Sequence, residues 1–287
     1  MKRRTSEKLS AVCDRYALTR GLRTSSTYQF KRVCDLFDQQ LERPATVKDL
    51  TDETVSRFLA WMQDEKYSKD TVHRTRARIL SVWRDCAMRE LAEMPRFVRK
   101  VPKKHPCPIA WTERELELIA NRCLTMWGNF RKSGIPRWLY FSTLYFVAFD
   151  TGLRRSDLWA LRRDCFRADG VIVLPEQQKT GWPHIPQVTL EVLNAIALLP
   201  GDCPLAWPHK YSTSFYKMWH RYVIKPAGVR PGALHQIRRS GATLIAKSDG
   251  IDAARRYLAH RTDSMVWHYV DRSVAFAPAP MPPRIKT

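Results

Sequence analysis

Residues 99–108 read Arg-Lys-Val-Pro-Lys-Lys-His-Pro-Cys-Pro, with three prolines and four Lys or Arg in ten positions. Such a segment can continue neither a helix nor a strand. The chain is cut there, so each side must bury its own core. Length agrees, because 287 residues at roughly 150 per domain suggest two domains. The expected organisation is a first domain over 1–98, a basic linker over 99–108, a second domain over 109–274 and a Pro-rich tail over 275–287.

Charge narrows the class of partner. Lys and Arg number 49 against 28 Asp and Glu, a net charge of +21, while 44% apolar and 11% aromatic residues suffice for packed interiors. A disordered basic tail is thereby excluded. Residues 1–107 hold 24 Lys/Arg and 14 Asp/Glu and residues 108–287 hold 25 and 14, so the halves carry +10 and +11. An even split points to two domains touching one long polyanion, with nucleic acid as the leading partner and a merely solvated basic surface as the alternative. An anionic membrane surface ranks lower, because no basic amphipathic helix with an exposed aromatic face is evident. The longest mostly apolar run, Trp138–Phe149, covers 12 residues and is too short to span a bilayer.

The seven cysteines are scattered, with neither CxxC nor zinc spacing, so no metal or other cofactor is expected. The first residues carry charges with no apolar stretch behind them, which predicts no secretory signal, reduced thiols and a cytoplasmic, nucleoid-associated protein.

Apolar periodicity predicts a mainly α fold. Val33, Cys34, Phe37 and Leu41 form one helical stripe, Val55, Phe58, Leu59 and Met62 a second, and Val72, Ile79 and Trp83 a third, with Thr51 and Ser68 as helix starts. The third helix also carries Arg74, Arg76 and Arg78, of which Arg74 and Arg78 share a face suited to phosphate contact or simply to solvent. After the linker, Thr112-Glu-Arg-Glu115 is a capping box, and Trp138–Asp150 reads as a buried helix ended near Gly152. Gly170–Leu174 and Ile185–Thr189, around a turn at Lys179-Thr-Gly181, read as a small β-hairpin. Helices are expected near 190–198, 211–223, 234–248, 252–259 and 262–271.

Four short stretches carry chemistry. In Thr151-Gly-Leu-Arg-Arg-Ser-Asp-Leu158 a glycine turn presents Arg154 at a helix start, where its planar fork can take two phosphate oxygens. In His235-Gln-Ile-Arg238 the i, i+3 spacing sets an imidazole beside a guanidinium. His260 closes Leu258-Ala-His260, and Tyr269 follows nine residues later, on the helix expected over 262–271. Each stretch alone reads more readily as a helix junction, a surface pair or a core tyrosine.

Taken together, Arg154, Lys179, His235, Arg238, His260 and Tyr269 occur in an order and at separations that closely resemble those of the tyrosine recombinases, the phage-integrase family. The resemblance covers nearly the whole chain. It implies a helical, SAM-like core-binding domain over 1–98, a recombinase catalytic domain over 109–274 and a two-domain DNA clamp of the compact type. It further implies that Tyr269 attacks a DNA phosphodiester to leave a 3′-phosphotyrosyl link and a free 5′-hydroxyl. Arg154 and Arg238 would stabilise the non-bridging oxygens, and His235 would accept the phenol proton. Lys179 would protonate the leaving oxygen, His260 would hydrogen-bond the phosphate and Asp157 would orient the site. DNA contacts are expected from Arg74, Arg76, Arg78, Lys103, Lys104 and Arg239. The implied partners are double-stranded DNA, a homotetramer on two recombination sites and an accessory DNA-bending or directionality factor, with no metal and no membrane. Gln236, Ala259 and Asp157 stand where the family more often has Asp, Gly and Glu. The expected activity is site-specific recombination, serving a mobile element or multimer resolution. The alternatives are a type IB topoisomerase-like nicking and rejoining enzyme and a catalytically silent DNA-binding regulator.

Overall fold

A computed structural model describes residues 6–102, 107–168, 170–171, 186–209 and 213–276. The chain divides into two units, Met1–Pro106 and Cys107–Thr287. The first holds α1 (Leu9–Thr19), α2 (Thr24–Leu41), α3 (Asp52–Asp64) and α4 (Lys69–Met88). Two of these start where a short polar side chain can take an orphan amide: Thr51 accepts from Thr54 at 3.2 Å and Ser68 from Thr71 at 3.2 Å. The three predicted stripes meet in one core, where Phe37, Phe58, Met62 and Trp83 are all buried. The Trp83 indole keeps its hydrogen bond inside, donating to the Glu93 carbonyl at 2.6 Å.

Part of the segment expected to be a linker packs on this unit. Val98 and Val101 enter the core. Arg76 of α4 donates to the Arg99 and Val98 carbonyls at 2.7 and 3.3 Å, and His73 Nδ1 lies 3.0 Å from the Val101 carbonyl. Of the arginines expected to face DNA, Arg76 is thus engaged within its own unit. Arg74 is exposed and pairs with Asp70 at 2.7 Å, and Arg78 is partly buried, its guanidinium lowered by that burial and by Arg74. Lys103 and Lys104 lie outside the described residues.

The second unit begins with α5 (Glu113–Leu124), opened by the Thr112/Glu115 capping box, and α6 (Arg137–Thr151). Helix α6 is apolar nearly all round because α5, α8 (Leu190–Leu198) and α11 (Leu234–Tyr257) cover it on several sides. Between α6 and α8 lie α7 (Arg155–Ala160), β1 (Phe166–Arg167) and β2 (Gly170–Val171). After α8 come α9 (Thr213–Trp219), a π-helical turn at His220–Ile224 and α10 (Lys225–Ala227). After α11 the described residues close with α12 (Asp263–Val266) and α13 (Arg272–Ala275). Among the described residues no helix is long and apolar enough to cross a membrane.

Several elements differ from expectation. Gly170–Val171 pairs antiparallel with Phe166–Arg167, and the expected hairpin of Gly170–Leu174 with Ile185–Thr189 falls largely outside the described residues. Pro186–Thr189 is irregular, and the Pro186 carbonyl passes so close to Gly170 that a Cβ there would meet it at 2.6 Å. Residues 172–185, with Lys179 and the expected turn, lie outside the described residues. The helix expected over 211–223 becomes α9 followed by the π turn. The two expected over 234–248 and 252–259 form α11, broken at Gly250, whose φ of 84° an L side chain rarely adopts.

Truncating the largest side chain of the first core tests its weight. Trp83→Ala removes a buried ring and leaves the Glu93 carbonyl without its donor, so stability should fall by about 3–5 kcal/mol, read as a shift in the denaturant midpoint by circular dichroism.

Candidate active site

The site begins where α6 ends. Gly152 takes φ 58°, and a Cβ on it would sit 2.6 Å from the Tyr257 ring. Tyr257 is also the neighbour of Gly241 in α11, where a Cβ would meet the phenol oxygen at 2.3 Å. Its hydroxyl donates to the Phe149 carbonyl at 2.6 Å, so one ring wedged between two glycines ties the end of α6 to both halves of α11. Beyond Gly152 the chain turns to place Arg154 as the N-cap of α7, with its guanidinium 3.8 Å from Asp157. Burial pushes the Asp157 carboxyl up, and Arg154 pulls it back.

The first turn of α11 presents His235 and Arg238. Arg238 is 2% exposed. It donates to the Gly152 carbonyl and, at 2.7 Å, to the Leu258 carbonyl, and its Nη2 lies 3.2 Å from His260 Nε2. Burial, then the charge of Arg154, lowers this guanidinium to about 10.

The end of α11 delivers His260 through a Schellman motif: the His260 amide donates to the Arg255 carbonyl at 3.1 Å and the Ala259 amide to Arg256 at 2.9 Å. That motif requires a left-handed residue at Ala259, which takes φ 48° although it carries a Cβ. The strain sits beside His260.

Tyr269 does not lie on a helix as expected. It occupies the turn after α12, its amide donating to the Val266 carbonyl at 2.8 Å. The backbone leaves the helix because Asp271 is held elsewhere. The Asp271 amide donates to the Thr243 hydroxyl at 2.9 Å, and its carboxylate accepts from Ala110 at 3.0 Å and from the Ser273 amide in α13 at 3.1 Å. Buried Val266 and Val270 fix the remainder. The half-buried phenol ring then lies 5.1 Å from the His235 ring, 5.0 Å from the His260 ring and 5.1 Å from the Arg238 guanidinium carbon.

Five of the six residues singled out in the sequence therefore gather around one spot, and the sixth, Lys179, lies outside the described residues. Both imidazoles are pushed down to about 4, by burial first and then by arginines, Arg239 leading for His235 and Arg238 for His260. His260 is 6% exposed, whereas His235 keeps an edge open to water, which offsets part of its shift. Neutral imidazoles can accept protons at neutral pH. Arg239 is half-buried beside them, and Gln236 donates from its side-chain amide to the Ile109 carbonyl, a bond an aspartate could not make. Among the described residues no group of three or more His, Cys, Asp or Glu gathers where it could hold a metal.

Arg154 and His235 line an open recess with Arg155, Ser156, Leu234 and Tyr216. Sequence reasoning missed Tyr216, whose ring lies against Arg155, and Tyr257, because no local pattern ties residues about 60 or 100 positions apart; it also did not single out Trp159, the i+4 neighbour of Arg155.

No family model matches the sequence, and no curated protein matches it. Solved structures do. The lambda integrase fragment 75–356, a dimer on a COC′ core site, matches with a TM-score of 0.72 at 19% identity, covering 96% of this chain and 100% of that one. The Tn1549 transposon integrase in complex with circular intermediate DNA matches at 0.73 and 13% identity, over 93% and 96% of the two chains. A lambda integrase tetramer on a Holliday junction matches at 0.72 and 18%, over 98% and 82%. The chain has the tyrosine recombinase/integrase fold.

Folding holds both histidines neutral where the unfolded chain would bind a proton, so between about pH 6.5 and pH 4 the unfolded state carries more protons. Stability should fall as the pH drops through that window, and His260→Ala should flatten the dependence in thermal melts from pH 7 to 4.5. Ala259→Gly should raise stability by about 1 kcal/mol by relieving the left-handed strain, measured as a higher Tm.

Proposed function

We propose that the chain is a metal-independent, site-specific DNA recombinase that cuts and rejoins duplex DNA through a 3′-phosphotyrosyl intermediate, serving integration or excision of a mobile element or the resolution of multimers. The observation that carries the reading is the phenol of Tyr269 set between two neutral imidazoles and against the buried Arg238 guanidinium. A phenol is a weak nucleophile at neutral pH and needs a proton acceptor and a cationic surround, both within reach here.

In this reading the Tyr269 oxygen attacks phosphorus as its proton passes to His235. A phosphorus–oxygen ester bond to tyrosine forms, and the bond to the 5′-oxygen breaks. Arg154 and Arg238 stabilise charge on the non-bridging oxygens, and His260 hydrogen-bonds one of them. Lys179 gives the departing 5′-oxygen its proton. Asp157 holds Arg154. Strand exchange reverses these steps with a new 5′-hydroxyl. Arg239 and, in the first unit, Arg74 and Arg78 contact the phosphate backbone; Lys103 and Lys104 extend that contact, and Arg76 contributes least because its guanidinium is occupied by carbonyls. By analogy with the tetrameric lambda integrase complex, four copies act on two sites. The net charge of +21 supports double-stranded DNA as the partner.

The test is an adduct assay with supercoiled DNA containing the flanks of the protein's own gene, without metal and quenched in detergent. Wild type should leave protein on DNA and yield recombinant circles, and Tyr269→Phe should bind with nearly the same affinity and leave none; adducts persisting in Tyr269→Phe would assign the nucleophile elsewhere. Relaxed circles without recombinants would favour a nicking and rejoining enzyme. Lys179→Ala should slow cleavage of ordinary DNA and be rescued by a 5′-bridging sulfur, whose thiolate leaves without a proton; equal defects on both substrates would remove Lys179 from the acid role.

A further inference from the structure

Arg155 sits in an unusual setting for a charged side chain. Its guanidinium carbon lies 4.6 Å from the Trp159 ring centre and 4.8 Å from that of Tyr216, so two aromatic rings lie against it. Its Nη1 is buried with no hydrogen-bond partner, and among the described residues no carboxylate pairs with it. By comparison Arg230 is paired with Glu115 and Arg163 with three carbonyls, whereas Arg137, Arg238 and Arg239 each leave a buried Nε without a partner. A cation desolvated and left unpaired is costly unless an anion completes it. Contact with two rings limits how the guanidinium can turn. Arg155 lines the open recess together with Arg154, Ser156 and His235, and Tyr216 is 47% exposed at its rim.

We propose that Arg155, held against Trp159 and Tyr216, binds the DNA phosphate adjacent to the one that is cut. The proposal rests on the recombinase reading, since Arg154, its neighbour in sequence and in the recess, is there assigned to the cleaved phosphate. Two consecutive arginines then take two consecutive phosphates, which fixes the register of the strand against Tyr269. Arg155 is a positioning residue in this scheme.

Binding to a short mixed-sequence duplex, measured by fluorescence anisotropy over a range of KCl concentrations, reads the contact without any cleavage. Arg155→Gln should lower the slope of log K against log salt by about 0.9, the share of one phosphate, and Arg155→Lys should keep it. An unchanged slope in the Gln variant overturns the contact. On a duplex whose cleaved position has been mapped from the wild-type adduct, a neutral methylphosphonate at the adjacent phosphate should weaken wild type roughly tenfold, as expected for one charge-assisted contact, and leave Arg155→Gln unaffected. Equal losses in both proteins, or no loss in wild type at either flanking phosphate, overturn the proposal even if the Gln variant fails to fold. Failure of the recombinase reading shows separately, as a wild type that forms no adduct.

Discussion

The buried guanidinium of Arg238 is the interaction on which the second unit depends. It joins the Gly152 carbonyl, at the corner that aims Arg154, to the Leu258 carbonyl and His260, at the corner that closes α11. Pieces of chain 86 residues before it and 20 to 22 residues after it are thus referred to one planar group. A lysine could supply the charge but not the fixed fork, so the geometry of the site is written into the shape of arginine itself. Because the same group faces the phenol ring of Tyr269, the element that organises the fold is also one that an anion would meet.

Electrostatics in this region is arranged by exclusion of water as much as by pairing. Burial drives both imidazoles toward the neutral form and the Asp157 carboxyl toward protonation, while neighbouring arginines reinforce the first effect and oppose the second. The result is a cluster of cations around neutral bases, with the buried Asp157 carboxylate at 3.8 Å from Arg154. Such a cluster is poised for a ligand that brings its own negative charge.

The sequence made the helical stripes, the caps at Thr51, Ser68 and Thr112 and the residues of the site readable, because each depends on local spacing or on a known order of motifs. It did not reveal that Tyr269 sits on a turn, since the hydrogen bonds that pull the chain out of helix there run from Asp271 to Thr243 and Ala110. It did not reveal the pairing of Gly170–Val171 with Phe166–Arg167, because an apolar stretch looks the same whether its partner precedes or follows it. The contact of Arg155 with Tyr216 was hidden because Tyr216 is distant in sequence. Ala259 was legible as a departure from the family pattern, but its left-handed backbone gives that departure a physical meaning.

The wedge of Tyr257 between Gly152 and Gly241 has a consequence for how this sequence can drift. Neither glycine can grow while the ring stays, and the ring cannot shrink without opening a void and freeing the Phe149 carbonyl. The three positions can therefore change only in concert, like a lock whose pins share one key. As long as the trio holds together, it keeps α6 and α11 in register whatever changes around it.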